Sequence, residues 1–249
     1  IKYLVEKMSQ SYKYLNVFSP EGKLLQIEKA YNAIKNYGLT TIAVRGKDAV
    51  VVCTQKKVPD KLIVKESVTN IFKITDTIGV MVTGSVTDAK SMISFFRMVS
   101  AEFKFKNGYH IPVHVLAQKA SERNQMITQF IGIRLMRCSF TFVGIDEEKG
   151  PQVYKVDPSG HSLGYKAVAA GTKEQDAVNY LEKQYKKKPE GWNNDEAIQT
   201  AIMCLQNVIS TDFKNDEIEV GIATTDNVFF RTLTEDEIEE HLNTIADMN

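Results

Sequence analysis

The stretch YGLTTIAVRGKDAVVVCTQKK, Tyr37 to Lys57, contains two runs of apolar and β-branched residues with a short polar segment between them. The runs are Thr40–Val44 and Ala49–Thr54, and the segment includes Gly46. Two such runs around a glycine-containing turn predict a β-hairpin. The pair of threonines raises a question of function, because a threonine with a free α-amino group can act as both nucleophile and base.

The residues before this hairpin predict a helix over residues 19–37. Ser19 suits the N-cap, Pro20 suits the first helical position, and Gly38 suits a left-handed C-cap. One face carries apolar residues at spacings of three and four, which is the helical period. These residues are Leu24, Ile27, Tyr31 and Ile34.

The rest of the chain alternates between pairs of strands and pairs of helices. The order predicts an α+β fold of four layers, αββα, in which two antiparallel sheets pack between two helix layers. We expect residues 1–18 to form a tail and residues 19–249 to form the domain. The further predicted elements are strands 71–75 and 78–83, helices 86–107 and 112–130, strands 138–145, 152–156 and 161–169, helices 174–185 and 194–210, strands 217–223 and 228–233, and a last helix capped at Thr234.

Composition argues against several classes of protein. Lys plus Arg and Asp plus Glu both number 31, so the formal net charge is zero and no broad field for nucleic acid or an anionic membrane is expected. Three widely spaced cysteines and the lack of a CxxC pair indicate free thiols in a reducing compartment. His110 and His114 lie four apart, but no acid completes a metal motif, and no glycine-rich phosphate loop is present. We therefore expect no metal and no cofactor.

The segment FSPEGKLLQIEKA, Phe18 to Ala30, resembles the signature FSPEGR-L-x-Q-VEYA that opens the α-subunits of the proteasome. The resemblance continues through RGKDAVVVCTQKKVPDKL, FKITDTIG and GIDEEKGPQVYKVDPSG, which follow in the same order. It implies the N-terminal-nucleophile (Ntn) hydrolase fold, an αββα sandwich that agrees with the predicted layers.

The resemblance also bears on the threonines. Catalytic subunits of this family begin at a threonine released after a glycine, and use an acid and a lysine farther along. In this sequence Leu39 stands at the nucleophile position, Gln55 stands at the acid position, and Lys61 matches the lysine. The amine of Thr40 is part of a peptide bond and is not a free base. The resemblance therefore implies a chain that is not itself an enzyme but belongs to a threonine-type endopeptidase complex.

For such a subunit the resemblance implies an architectural role. The chain would join six other α-subunits in a heptameric ring, contact the β-ring, gate the entry of substrates and dock a regulatory particle or other activators in ubiquitin-dependent degradation, in cytoplasm and nucleus. The apolar helix face would serve as subunit interface. The implied docking-pocket residues are Lys23, Leu24, Gly38 and Asn70, and the gate or hinge residues are Ser11, Tyr12, Lys13 and Pro20.

Several of these positions depart from the family pattern. The docking lysine is replaced by Asn70, and an amide does not supply the point charge with which a lysine binds a carboxylate. Of the family's gate cluster only Pro20 remains. The family's RPxG loop reads RLMR at residues 134–137. We therefore expect a docking pocket that is weak on the Asn70 side.

The sequence is also compatible with two other functions. The chain could be an autonomous Ntn amidohydrolase that is processed before Thr40, or a free-standing binding module. An N-terminus at Thr40 in the mature chain would favour the first, and a stable monomer would favour the second.

Overall fold

The strands of the protein form two five-stranded antiparallel sheets. The computed structural model describes residues 16–248, and its strands are β1 (Thr40–Arg45), β2 (Ala49–Gln55), β3 (Ile71–Lys73), β4 (Ile78–Gly84), β5 (Cys138–Asp146), β6 (Gly150–Val156), β7 (Ser162–Gly164), β8 (Ala167–Gly171), β9 (Ile218–Thr224) and β10 (Arg231–Thr232). Sheet A has the order β10-β9-β2-β1-β8, and sheet B has the order β3-β4-β5-β6-β7. The two hairpins predicted early in the chain are present, and each lies in a different sheet.

Five helices cover the outer faces of the sheets, and a sixth, α1, lies at one end of the sandwich. The helices are α1 (Leu25–Asn36), α2 (Val86–Asn107), α3 (Val113–Ile127), α4 (Glu174–Lys187), α5 (Asn194–Ile209) and α6 (Glu235–Met248). Helices α2 and α3 pack on sheet B, whereas α4, α5 and α6 pack on the other side against sheet A. The predicted αββα order of layers is therefore confirmed. Within residues 16–248, none of these helices combines the length and the apolar character needed to cross a membrane.

Apolar residues fill the space between the sheets and beneath each helix layer. Val52, Met81 and Val143 meet between the two sheets. Under α2 and α3, the ring of Phe96 makes edge-to-face contacts with Phe140 and Phe142 at centroid distances of 5.1 and 5.0 Å, a favoured geometry for aromatic pairs. All seven residues of β2 are buried, because this strand is covered on both faces, and this explains the continuous apolar run from Ala49 to Cys53.

The prediction that α1 begins at Ser19 is wrong, because the helix begins at Leu25. Residues 19–22 form a turn instead, in which the Gly22 N–H donates to the Ser19 carbonyl at 2.9 Å and the Ser19 N–H donates to the Lys23 carbonyl at 2.9 Å. Gly22 has φ +75°, a left-handed conformation that glycine adopts without strain. Serine and proline are as well suited to the start of a β-turn as to a helix start.

The predicted strand over residues 161–169 is also wrong, because it is two strands in different sheets. Strand β7 pairs with β6 in sheet B, and β8 pairs with β1 in sheet A. The chain crosses between the sheets at Tyr165, whose N–H donates to the Val153 carbonyl at 2.9 Å, and Lys166, whose carbonyl accepts from the Arg45 N–H at 2.8 Å. This crossing ties the two sheets together at one end.

The loop that joins α3 to β5, residues 128–137, is held by a buried carboxylate at the start of α2. Arg134 donates to both carboxylate oxygens of Asp88, at 2.6 and 2.7 Å, and the Arg137 N–H donates at 3.1 Å. The Asp88 side chain is only 3% exposed. The hydrogen bonds from Arg134 lower the pKa of Asp88 to about 2. The arginines of the divergent RLMR segment therefore fix this loop to α2.

Replacing Asp88 with Asn should lower the free energy of unfolding by about 1.5–3 kcal/mol at pH 7, the range for hydrogen bonds to charged groups. Because the folded-state pKa lies below the ordinary value of about 4, this stabilisation is present above pH 4 and is lost as the pH falls toward 2. Urea unfolding at several pH values measures both effects. Asp195→Asn, at an exposed acid in the first turn of α5, is the control, and equal losses for the two variants at pH 7 would contradict this role of Asp88.

Candidate functional site

The start of β1, to which the resemblance assigns the nucleophile position of catalytic subunits, is buried in this chain. Leu39 is 6% exposed, and Thr40 and Thr41 are fully buried. The backbone N–H of Thr40 donates to Oε1 of the buried Gln55 at 3.2 Å. The neutral side-chain amide of Gln55, which the resemblance places at the acid position, therefore accepts a hydrogen bond from a peptide N–H.

A lysine does reach this place, but it is not the one that the sequence predicted. Lys61 is exposed in the loop between β2 and β3. Lys57, from the beginning of the same loop, donates through Nζ to the carbonyl of Gly38 at 2.7 Å. No pattern in the sequence distinguishes Lys57 from the adjacent Lys56. The contact ties the end of α1 to the end of β2 and has no reacting partner beside it.

Helix α1 lies against the end of the sandwich at which β1 begins, in contact with β4, β5 and β8. Ile34 is buried there, and the hydroxyl of Thr172 donates to the carbonyl of Lys35 at 2.6 Å. The Thr172 N–H donates in turn to the carbonyl of Leu39 at 3.1 Å. Thr172 therefore links the end of α1 to the residue that precedes β1 through two hydrogen bonds.

A polar cavity of about 230 Å³ remains beneath α1, and Tyr31 lies at its edge. The Tyr31 hydroxyl donates to Oδ2 of Asp157, while Oδ1 of Asp157 accepts from the backbone N–H groups of Ser159 and His161 at 2.9 and 3.0 Å. Burial, together with the hydrogen bond to Asp157, raises the pKa of Tyr31 to about 12. The phenol therefore stays neutral at physiological pH and attaches α1 to the turn after β6.

The four residues assigned to a docking pocket lie in different environments. Lys23 is exposed and is 3.8 Å from the carboxylate of Glu28, and Leu24 is half-buried directly before α1. Gly38 follows α1 with φ +80°. Asn70 is 4% exposed and directly precedes β3.

Strand pairing relates Asn70 to the start of β1. Thr41 in β1 faces Thr54 in β2, and Thr54 faces Glu219 in β9, whose Oε2 accepts from the Asn70 N–H at 3.1 Å. Two strand spacings separate these ends, a distance of about 10 Å. Asn70 and Gly38 therefore belong to the same end of the sandwich.

Glu219 is a neighbour of Asn70 that the sequence did not indicate. Its carboxylate accepts from the Thr69 hydroxyl as well as from the Asn70 N–H. Burial raises the pKa of Glu219, although these hydrogen bonds act in the opposite direction. The sequence of β9 does not predict that Glu219 contacts Asn70, because this contact depends on how strands of two different sheets lie beside each other.

The remaining assignments are placed as follows. Ser11, Tyr12 and Lys13 lie outside the described residues, and Pro20 is exposed in the turn before α1. The apolar face of α1 points largely into this chain, since Ile27 packs beside Ala30, Ile127 and Leu135.

The cysteines and the metal-binding residue types suggest no other site within residues 16–248. Cys53, Cys138 and Cys204 are buried free thiols, and burial raises the pKa of each. No group of three or more His, Cys, Asp or Glu side chains in the described part of the chain is arranged to hold a metal ion.

Comparison with known proteins agrees with this geometry. The family model described as proteasome subunit matches residues 35–223. Proteasome subunit alpha type-6 of Caenorhabditis elegans is 42% identical over 94% of this chain and 95% of its own length. The probable proteasome subunit alpha type-1 of Schizosaccharomyces pombe is 43% identical over the same shares, and the proteasome subunit alpha of Methanosarcina mazei is 32% identical over 94% of this chain and 92% of its own length. These matches confirm the resemblance to α-type subunits: the chain belongs to the proteasome subunit family.

Proposed function

We propose that this chain is a non-catalytic subunit of the α-ring of the 20S proteasome core particle, in the ring position of the alpha type-6 subunits. The observation that carries the proposal is the environment of Thr40, which is fully buried and donates its backbone N–H to the side-chain oxygen of Gln55. A threonine in mid-chain cannot supply the free amine that this type of hydrolysis needs as its base.

In this role the chain would form the end ring with six other α-subunits and contact the β-ring. It would take part in gating substrate entry and in docking a regulatory particle or other activators, as part of ubiquitin-dependent degradation in cytoplasm and nucleus. The relatives named as proteasome α-subunits support this proposal, and so does the neutral composition, which favours association over colloidal repulsion.

The structure does not favour an autonomous hydrolase processed before Thr40. Such a cut would release α1, which buries Ile34 and holds Tyr31 on Asp157. It would also leave Gln55 in place of an acid. A free-standing binding module remains the other class of function.

The mass and composition of the assembly that contains this chain test the proposal. We expect a particle of many different subunits, in which this chain occurs once in each end ring. A stable monomer of 28.1 kDa in its cell would contradict the proposal.

A covalent inhibitor directed at N-terminal threonines should label β-subunits of that particle and leave this chain unlabelled. The reason is that Thr40 and Thr41 are fully buried and have no free amine. Mass spectrometry of each separated subunit measures the labelling. An adduct on either threonine would contradict the assignment as non-catalytic.

The contact with a neighbouring α-subunit is better tested at the loop of residues 128–137 than on α1. Ile131 is 65% exposed beside the likewise exposed Phe130 and Ile133, whereas Ile27 packs within the chain. Burying such a side chain in an interface stabilises it by roughly 1.5–3 kcal/mol. Ile131→Asp should therefore reduce incorporation into rings about tenfold or more in a competition with wild type. Leu163→Asp, at an exposed residue of β7, is the control, and equal incorporation of the Ile131 variant and wild type would exclude this interface.

Asn70→Lys should strengthen the binding of an activator's C-terminal carboxylate to this subunit by about 1–3 kcal/mol, if the new pair is partly desolvated. The gain should shrink as salt rises, because a pair that is partly exposed is screened by ions. The measurement is the affinity of a synthetic activator tail for whole core particles at two ionic strengths.

Asn70→Met adds similar length without charge and is the matched control for this substitution. The control is needed because the introduced ammonium group could also pair with the nearby Glu219, whose carboxylate already accepts from the Asn70 N–H. No gain over Asn70→Met at either salt would show that the pocket is not formed around position 70.

A further inference from the structure

A groove of about 430 Å³ lies between the second half of α2 and the turn that joins β3 to β4. The hydroxyl oxygens of Thr41 and Thr83 are 2.6 Å apart, which places the end of β4 beside the start of β1. Because β4 runs from Ile78 to Gly84, the turn before it lies at the opposite end of the sandwich from α1. The groove is therefore separate from the candidate site described above.

The lining of this groove is basic. Among the residues that the structure describes, three cationic side chains and one acidic side chain line it, namely Lys73, Arg97 and Lys104 against Asp76, so the lining has a net charge of +2 before His110 is counted. The pKa of Asp76 is lowered, chiefly by its hydrogen bond to Lys73, and the charge of Lys104 acts in the same direction. The groove thus has the charge of a site for an anion.

The guanidinium group of Arg97 is held in place at this groove. Its Nε and Nη2 both donate to the carbonyl oxygen of Lys73, at 3.1 and 2.8 Å. A guanidinium group has five N–H donors in a planar fork, so three of them remain for a ligand. A cation that is already fixed in one orientation loses less conformational freedom when it binds an anion.

The hydroxyl of Ser100 is a further donor in the lining of the groove. Ser100 is only 4% exposed, and its Oγ has no hydrogen-bond partner among the described residues. Ser94, on the same helix, donates its hydroxyl to the carbonyl of Lys90 at 3.2 Å. A serine hydroxyl changes direction by rotation about a single torsion, so the unpaired donor of Ser100 is available to an oxygen in the groove.

We propose that this groove binds the phosphate group of a small phosphate monoester. Such a group carries a charge of about −1.5 to −2 at pH 7 and three acceptor oxygens, which match the net charge of the lining and its donors. A carboxylate has one negative charge and two oxygens, and would leave part of the lining unmatched. Ile74 and Ala101 provide an apolar wall for the organic part of the ligand. The proposal concerns this chain alone and does not rest on the proposed function.

Lysine footprinting of the protein as purified from its cells measures the binding. Phenyl phosphate should slow the acetylation of Lys73 and Lys104 several-fold, and the concentration dependence gives the Kd. Lys90, which lies outside the groove on the same helix, is the internal control and should react at an unchanged rate. Unchanged rates at Lys73 and Lys104 would overturn the proposal.

Two further anions test the chemical class of the ligand at constant ionic strength. Benzoate has the same ring with a single charge and should bind about tenfold more weakly, because it forms fewer charge-assisted hydrogen bonds. Inorganic phosphate should also bind more weakly, because it has no apolar part to contact the wall. Equal affinity for benzoate would overturn the assignment to phosphate, and equal affinity for inorganic phosphate would overturn the assignment to a monoester.

Lys104→Gln should raise the Kd of phenyl phosphate, read from the footprint of Lys73, about tenfold, since it removes one charge-assisted hydrogen bond. Lys90→Gln removes the same charge from the same helix outside the groove and should leave the Kd unchanged. Equal Kd values for these two variants would contradict a site in the groove.

Ser100→Ala separates ligand binding from stability. It should raise the Kd several-fold without lowering the Tm, because the hydroxyl that it removes has no partner within the described chain. Ser94→Ala, which removes a hydroxyl that is already paired, should leave the Kd unchanged. A lower Tm with an unchanged Kd for Ser100→Ala would show that this hydroxyl serves the fold and would overturn its role in binding.

Discussion

The structure depends on an uninterrupted backbone from α1 into β1. Gly38 turns the chain with φ +80°, Leu39 is buried, and Thr40 begins the strand with its N–H bound by Gln55. The side-chain amide oxygen of Gln55 accepts this hydrogen bond and fixes the start of the strand.

The same continuity explains the position of the other elements at this end. Helix α1 covers this end of the sandwich. The hydroxyl of Tyr31, whose pKa is raised to about 12, donates to Asp157 and so attaches the helix to the turn after β6. Lys57 also binds the carbonyl of Gly38. The start of β1 thus serves to hold a helix against the end of the two-sheet framework.

The layers of the fold and its central strands could be predicted from the sequence, because burial restricts which residues a strand can contain. Strands covered on both faces are mostly apolar, so β2 could be recognised from its run of apolar residues, and the pairing of helices indicated four layers. The predicted start of α1 was wrong because Ser19 and Pro20 suit a β-turn as well as a helix start. The left-handed conformation of Gly22 shows that they form a turn here. The prediction of a single strand over residues 161–169 was wrong, because apolar periodicity does not indicate where the chain passes from one sheet to the other. Lys57 was missed because its partner is a backbone carbonyl, which every residue possesses and no sequence pattern marks.

The intact mass of this chain, released from the particle that contains it, tests the central claim most directly. Tandem fragmentation would show whether the bond between Leu39 and Thr40 is present. The account predicts that this bond is intact in every assembled copy, so that α1 and β1 belong to one polypeptide. A chain that begins at Thr40 in the assembled particle would contradict it, because the free amine would restore the group whose absence makes this subunit non-catalytic.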